Sequence, residues 1–353
     1  MPKAQTMIVL NPKKPFYLLI LYVAVISACK SNKKVDVSNI QLEARIERFD
    51  QEFDAMRTKP MAAQAAYLQR KYGVFYHDFI CLILQEPRIN IADTAYFGLL
   101  RKVFANQAYN DLKHDVDSAF KGGLDKEDEE LTDAFKRIKY YFPKKQLPKV
   151  YAYYSGFEAQ TVIGNNYFGV GLDLFLGGNS RFYPALTNAY PHYMSQFFNK
   201  ENIVPRIVEG IAREDMFPES DSSKSLLSKM IYNGKIMYFM DEVLPDVADS
   251  TKIGYTAGQI KWCVQFKDKI WGYILDENLL YETDYPKIQK YLNPAPFTPG
   301  LGEKNESAPK LGIWTGWQIV RQYMDRHPEV TLAALMANTD VQMILNESRY
   351  KGK

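Results

Sequence analysis

Apolar residues recur at helical spacing through the first large part of the chain, between Arg48 and about Tyr140. Positions three and four apart lie on one face of a helix, so such a series predicts a helix with one buried side. Two clear series are Phe49, Phe53 and Met56, and Leu131, Ala134, Phe135 and Ile138. Residues 48–140 are therefore predicted to be helical.

The pattern changes between residues 148 and 173, where short runs of aromatic and β-branched residues follow one another. The runs cover 150–154, 161–163 and 167–172, and the residues between them include Ser155-Gly156 and Asn165-Asn166, which favour turns. A small β-meander of about three strands is predicted here.

Helical spacing returns after Tyr190 and continues to about residue 348. Ile203–Met216 carries a regular apolar stripe, Leu226–Leu244 forms a longer helix that stops before Pro245, and Thr256 is suited to cap a further helix. The order of helices, a small sheet and helices again predicts an α+β fold. We expect one globular domain over residues 41–353, helical over 48–140, with a small sheet at 148–173, and helical again over 190–348.

One connection departs from these patterns, from Asn293 through Pro309. Its prolines and glycines exclude regular structure, and long loops inside a compact body are often functional. A rigid surface crossover is the alternative interpretation.

The N-terminal segment has a different kind of hydrophobic pattern. Lys13 and Lys14 precede an apolar run of 11 residues, 16–26, which closes on Ser27, Ala28 and Cys29. Spanning a bilayer as a helix takes about 20 apolar residues, so the run predicts a cleaved signal rather than a permanent span. It resembles a bacterial lipobox, which implies that residues 1–28 are removed and Cys29 is acylated. An ordinary secretory signal with a chance cysteine is the alternative.

The segment 29–40 is short and polar, and this composition predicts a lipidated tether. Removal of residues 1–28 would leave 325 residues with 41 basic and 41 acidic side chains. This balance argues against nucleic acid as a partner, because such binding needs a clustered basic surface.

The remaining cysteines, Cys81 and Cys263, have apolar surroundings that favour buried free thiols, and a disulfide between them stays open.

Motifs for catalysis are missing from the sequence. The four histidines, at 77, 114, 192 and 327, do not have the spacing of a His-Glu-x-x-His zinc helix. A Gly-x-Ser-x-Gly elbow, a P-loop and a dinucleotide fingerprint do not occur either. We therefore predict no catalytic, cofactor-binding or metal-binding residues.

Several stretches together resemble the gliding-motility lipoprotein GldB family of Bacteroidetes. Besides the lipobox, they are residues 46–53, 140–150, 171–177, 203–205, 230–235, 253–256, 293–297 and 312–321. The resemblance implies a cell-envelope lipoprotein needed for gliding, in bacteria whose gliding machinery is linked to the type IX secretion system. It supplies no catalytic residues.

That family is distantly similar to predicted zinc peptidases with a His-Glu-x-x-His helix. The corresponding positions here are 208–212, and Asn233-Gly234 would replace a later Glu-Gly pair. Val208 and Ala212 would then stand at the histidine positions, which implies a degenerate zincin-like scaffold without its metal. We expect Val208 and Ala212 to pack in a dry face and Glu209 to lie on its flank or at the surface.

The sequence therefore favours a non-catalytic structural or assembly lipoprotein, anchored through Cys29 and facing the periplasm, that docks on other envelope proteins. Candidate contact regions are the connection 293–309 and an aromatic surface around Trp314 and Trp317, for which core packing is the alternative. A metal-dependent peptidase-like enzyme and, less favoured, a solute-binding lipoprotein are the rival hypotheses. Which membrane holds the anchor stays open.

Overall fold

Helices form the larger part of the body, as the apolar spacing predicts. The computed structural model describes residues 34–222, 224–302 and 306–353. The first helical region contains α1 (Phe49–Asp54), α2 (Met61–Tyr72), α3 (Val74–Leu84), α4 (Tyr96–Ala105), α5 (Gln107–Ala119) and α6 (Asp125–Tyr141). The predicted apolar series of α1 and α6 are buried, which confirms their helical faces.

Aromatic rings hold α1 against α3. The Phe49 ring meets Phe75 and Phe79 edge-on, with ring centroids 4.9 and 4.8 Å apart. Edge-to-face pairs at this distance stabilise a core beyond the area that they bury. The same aromatic cluster continues onto the sheet, since Phe75 also lies 4.8 Å from the Tyr151 ring.

The sheet has four strands, β1 (Ile46–Glu47), β2 (Lys149–Tyr153), β3 (Thr161–Gly164) and β4 (Tyr167–Gly171). The strand order is β1-β2-β4-β3. β2 runs parallel to both β1 and β4, and only β3 and β4 form an antiparallel hairpin, through Asn165-Asn166. The predicted strand positions are confirmed, but the predicted meander is wrong, because the chain places β3 outside β4 and returns to put β4 beside β2.

Asp173 anchors the loop that makes this crossover. Its carboxylate Oδ2 accepts backbone N–H groups from Ser155, Gly156 and Phe157, at 3.0, 2.9 and 2.8 Å. Gly156 and Phe157 both have positive φ, which turns their N–H groups toward one point. Burial raises the pKa of Asp173 to about 6, although the three N–H groups oppose that rise. The loop after β2 is therefore tied to the end of β4.

The second helical region follows the sheet. It contains α7 (His192–Ser195), α8 (Ile203–Gly210), α9 (Leu226–Val243), α10 (Asp249–Ile253), α11 (Ala257–Gln265), α12 (Lys267–Asp276), α13 (Tyr285–Ile288), α14 (Leu311–Arg326), α15 (Leu332–Ala337) and α16 (Val341–Ser348). α8 continues as a π-helix over Ile211–Met216. The predicted stop before Pro245 is confirmed, as is the cap at Thr256, which forms a capping box with Gln259. The α+β class is confirmed.

Two glycines let α9 and α14 touch backbone to backbone. A Cβ atom at Gly316 would lie 1.9 Å from the carbonyl oxygen of Met230, and one at Gly234 would lie 2.3 Å from the carbonyl oxygen of Gly316. Glycine inside a helix costs about 1 kcal/mol relative to alanine, so its presence here indicates a packing requirement. The absence of both side chains sets the distance between the two central helices.

A partly buried ion cluster joins the same helices to α10. The Arg321 guanidinium donates to both carboxylate oxygens of Asp241, at 2.7 and 2.8 Å, and of Asp249, at 2.7 and 2.8 Å. Lys252 is 4% exposed and pairs with Asp241 at 2.9 Å. Bidentate pairing of this kind fixes orientation as well as distance.

We predict that Gly316→Ala lowers the free energy of unfolding by about 3 kcal/mol, because its Cβ would force α14 away from α9. Gly272→Ala is the matched control, since a Cβ at Gly272 in α12 meets no atom within 4 Å. That control should be neutral or stabilise by about 0.5–1 kcal/mol. Urea unfolding of both variants measures the difference, and equal stabilities would contradict the close helix contact.

Candidate functional site

The helix that the remote resemblance compares with the zinc-peptidase motif is α8, and most of its apolar residues are buried. Val208 and Ala212 are both 0% exposed, and Val204 and Ile211 beside them are 1% exposed. The predicted dry face is therefore confirmed. Neither Val208 nor Ala212 carries an atom able to bind zinc, which prefers imidazole, thiolate and carboxylate ligands.

Glu209 lies on the flank of the dry face, which is one of the two predicted positions. Its side chain is 17% exposed, and it pairs with Arg206 at 2.5 Å and Arg213 at 2.9 Å. Burial alone would raise the pKa of Glu209, but the nearby arginines outweigh it and lower the pKa to about 2. The carboxylate is therefore ionised and both of its oxygens are engaged.

Arg213 connects Glu209 to the second aligned position, Asn233 on α9. Its guanidinium donates from Nε to Glu209 and from Nη1 to the Asn233 side-chain oxygen, both at 2.9 Å. The Asn233 amide donates in turn to the backbone oxygen of Lys229 at 2.8 Å. Gly234, the next residue, packs directly against the backbone of α14.

A guanidinium thus lies between the positions that the remote resemblance assigns to metal chemistry. These side chains do not fit a catalytic zinc ion. Val208 and Ala212 are apolar, the Glu209 carboxylate is paired with two arginines, and the Asn233 side chain already accepts one hydrogen bond and donates another. No group of three or more His, Cys, Asp or Glu side chains arranged for a metal occurs among the residues that the structure describes.

The arginine pairs could have been found in the sequence. Arg206, Glu209 and Arg213 have i,i+3 and i,i+4 spacing, which brings opposite charges together on one helix face. Lys310 could not have been found in this way, because it reaches the same cluster from a distant part of the chain. Its ammonium interacts electrostatically with Arg206, Glu209 and Arg213.

Trp314 and Trp317 do not form an aromatic surface. Trp314 is 3% exposed and Trp317 is 0% exposed. The Trp317 indole N–H donates to Asp241 at 2.8 Å, and the Arg321 guanidinium stacks 3.8 Å from its ring. The contact surface predicted there is wrong, because both rings belong to the packing of α14, which was the alternative.

The connection 293–309 is held in place at its described residues. The Thr298 hydroxyl donates to the Ala308 carbonyl at 2.8 Å, and the Ser307 hydroxyl donates to the Thr298 carbonyl at 2.8 Å. Both side chains are buried, while Asn293, Pro294 and Pro296 are exposed. The connection therefore has an internal clamp and an exposed outer side.

Cys81 and Cys263 are free thiols, the first half-buried and the second buried. Burial raises the pKa of the Cys263 thiol, so it stays protonated and unreactive.

Cys29, residues 1–28 and the first residues of the predicted tether lie outside the described residues. From Val35 onward the chain contacts the body, since the Arg137 guanidinium donates to the Val35 carbonyl at 3.0 Å.

A family model described as gliding motility protein GldB matches residues 30–352. The chain belongs to this family. The match spans nearly the whole chain after Cys29 and confirms the resemblance seen in the sequence. Membership associates the chain with gliding motility and with a family of envelope lipoproteins.

Searches among curated proteins and among solved structures find no match to the chain. The zincin-like scaffold therefore stays a prediction. Within the described part of the chain, no helix has the length and apolar character needed to cross a membrane.

We predict that Glu209→Gln destabilises the protein by about 2 kcal/mol or more at pH 7, because it leaves Arg206 and Arg213 without their carboxylate. The folded-state pKa of Glu209 lies below its ordinary value of 4.5, so its contribution is present above pH 4.5 and is lost as pH falls toward 2. The difference between wild type and variant should therefore shrink over that range. Urea unfolding at several pH values measures it.

Glu129→Gln is the control, because Glu129 lies on the exposed side of α6. It should change the free energy of unfolding by less than about 0.5 kcal/mol. A Glu209→Gln effect that stays constant from pH 7 to pH 2 would contradict the assigned ion pairs.

Proposed function

We propose that this GldB-family protein is a membrane-anchored, non-catalytic component that helps to assemble the gliding machinery linked to type IX secretion. The observation that carries the non-catalytic part is the engagement of Glu209 by Arg206 and Arg213 beside the buried Val208 and Ala212. The family match supports the motility role.

A peptidase would need a glutamate that can take a proton from a metal-bound water. Glu209 is poorly suited to this task, because its depressed pKa makes it a weak base and its oxygens already accept guanidinium hydrogens. Arg213 also occupies the space between Glu209 and Asn233. The arrangement supports a structural use of this glutamate.

The anchor is proposed at Cys29. Acyl chains there would hold the body at a membrane, since each buried methylene contributes about 0.8 kcal/mol. The body would face the periplasm, where envelope proteins are available as partners. The sequence around Cys29 supports this step.

The outer side of the connection 293–309 is the proposed docking surface. It exposes Asn293, Pro294 and Pro296, while the Thr298–Ser307 clamp holds the loop from inside. Described residues that are already held by hydrogen bonds, such as Thr298 and Ser307, lose little conformational entropy when a partner binds. Crosslinking in intact cells followed by co-purification would identify that partner.

We predict that Cys29→Ala moves the protein from the membrane fraction to the soluble fraction, removes labelled palmitate and abolishes spreading on surfaces. Loss of the acyl chains removes the hydrophobic anchor, which explains all three results. Cys81→Ala is the control and should keep membrane attachment. A Cys29→Ala protein that still sediments with membranes and supports spreading would exclude the lipid anchor.

We predict that the purified protein contains no stoichiometric zinc removable by chelators, measured by elemental analysis. Glu209→Gln cells grown at a temperature where the variant reaches wild-type abundance should still spread, because Glu209 serves stability. Stoichiometric zinc together with complete loss of spreading at normal abundance would instead favour the peptidase-like enzyme.

A further inference from the structure

A cavity of about 130 Å³ lies beside the Glu209 cluster. Arg206 of α8 and Lys310, just before α14, both line it. The two ends of the connection 293–309 contribute Pro294 and Pro309. A space of this size can hold a small organic molecule rather than a single water.

The charges around this cavity are unbalanced. No acidic side chain lines it among the described residues, whereas Arg206 and Lys310 both do. Among the described residues, Glu209 is the carboxylate that acts on Lys310, and it is already bound by Arg206 and Arg213. Three cations therefore share one anion, which leaves an excess of positive charge at the cavity.

Lys310 is the cation without a close counter-ion. No described carboxylate lies within 4.0 Å of its ammonium, which donates to the Ile253 carbonyl and lies 5.6 Å from the Tyr255 ring centroid. Burial, followed by repulsion from Arg206 and Arg213, lowers the pKa of Lys310 to about 8, and Glu209 offsets only part of this. The ammonium is still mostly protonated at neutral pH, and an added anion would relieve its desolvation.

The remaining walls combine apolar and polar side chains. Met194, Phe197 and Phe198 form an apolar part in the segment that begins with α7. Gln160, Asn202 and Gln259 add neutral hydrogen-bonding groups. Strongly hydrated anions such as phosphate lose solvation in apolar surroundings, whereas a carboxylate with a hydrocarbon body can use both kinds of wall. We propose that this cavity binds a small monocarboxylate with an apolar or aromatic body, through Lys310 and Arg206.

Lys235 is a second lysine that can be compared with Lys310. It is also partly buried, it donates to the backbone oxygens of Met336 and Asn338, and burial lowers its pKa. Lys235 does not line the cavity that Lys310 lines, and burial by itself accounts for its lowered pKa. Lys235 is therefore the matched control for Lys310.

The test is calorimetric titration of the purified full-length protein in detergent micelles with phenylacetate. The C-terminal residue of a polypeptide also presents a carboxylate next to a side chain. The tripeptide Gly-Gly-Phe is therefore titrated as a second probe. Phenylacetamide and the amidated tripeptide lack the negative charge, and inorganic phosphate lacks the apolar body. Wild type and variants share the same micelle background, so partitioning of the probes into detergent cancels.

We expect saturable binding of phenylacetate, of Gly-Gly-Phe, or of both, and the arm that binds identifies the source of the carboxylate. Lys310→Gln should weaken binding by about tenfold or more, because a charge-assisted hydrogen bond is lost. Lys310→Arg should retain binding, and Lys235→Gln should leave it unchanged.

Three results would overturn the proposal: no saturable binding of either acid at millimolar concentration, equal binding of the amides, or equal affinity in wild type and Lys310→Gln. The amide comparison uses wild-type protein, so it decides the matter even where Lys310→Gln does not fold. The inference goes beyond the assembly role, and since it is measured on purified protein its outcome is independent of motility.

Discussion

The direct contact of α9 with α14 at Gly234 and Gly316 is the constraint on which the rest of the body depends. Because neither glycine has a side chain, the two helix backbones meet, and residues next to the contact are brought within hydrogen-bond distance of each other. On one side, Arg321 of α14 reaches Asp241 of α9 and ties in α10. On the other, Asn233 precedes Gly234 and receives Arg213. The steric condition brings Arg321 to Asp241 across the α9–α14 contact, whereas the Arg213–Asn233 bond ties the π-helix to α9.

The cluster around Glu209 shows how a carboxylate on a buried helix flank can serve stability. Its two oxygens bind two arginines, and this pairing accounts for its low pKa despite burial. Among the described residues, Glu209 is the carboxylate that acts on Lys310, and it is already paired with the two arginines, which leaves Lys310 with a charge at the cavity. A structural carboxylate beside a cationic cavity is compatible with the binding role that we propose for this GldB-family protein.

Helices were predictable wherever the helical spacing of apolar residues continues over several turns. Strands were predictable wherever an aromatic or β-branched run has clear turn residues at its ends. β1 was not predicted, because two residues are too short to show alternation. The parallel pairing of β2 with β4 was not predicted either, because it depends on the Asp173 anchor in a loop whose folding is not visible in a local pattern. Trp314 and Trp317 have the same helical spacing whether they face a partner or the core. Burial by other parts of the chain decides between these outcomes.

The amino-acid sequence by itself determined the α+β class, the positions of the main helices and strands, the apolar character of positions 208 and 212, and the family. These properties depend on local periodicity, on the chemistry of single side chains and on motif order. Only the tertiary structure decided the sheet order, the burial of the tryptophans, the link from Arg213 to Asn233 and the approach of Lys310 to Glu209. Each of these depends on residues far apart in the chain, whose distances are set by the packing of whole elements and not by any pattern within one segment.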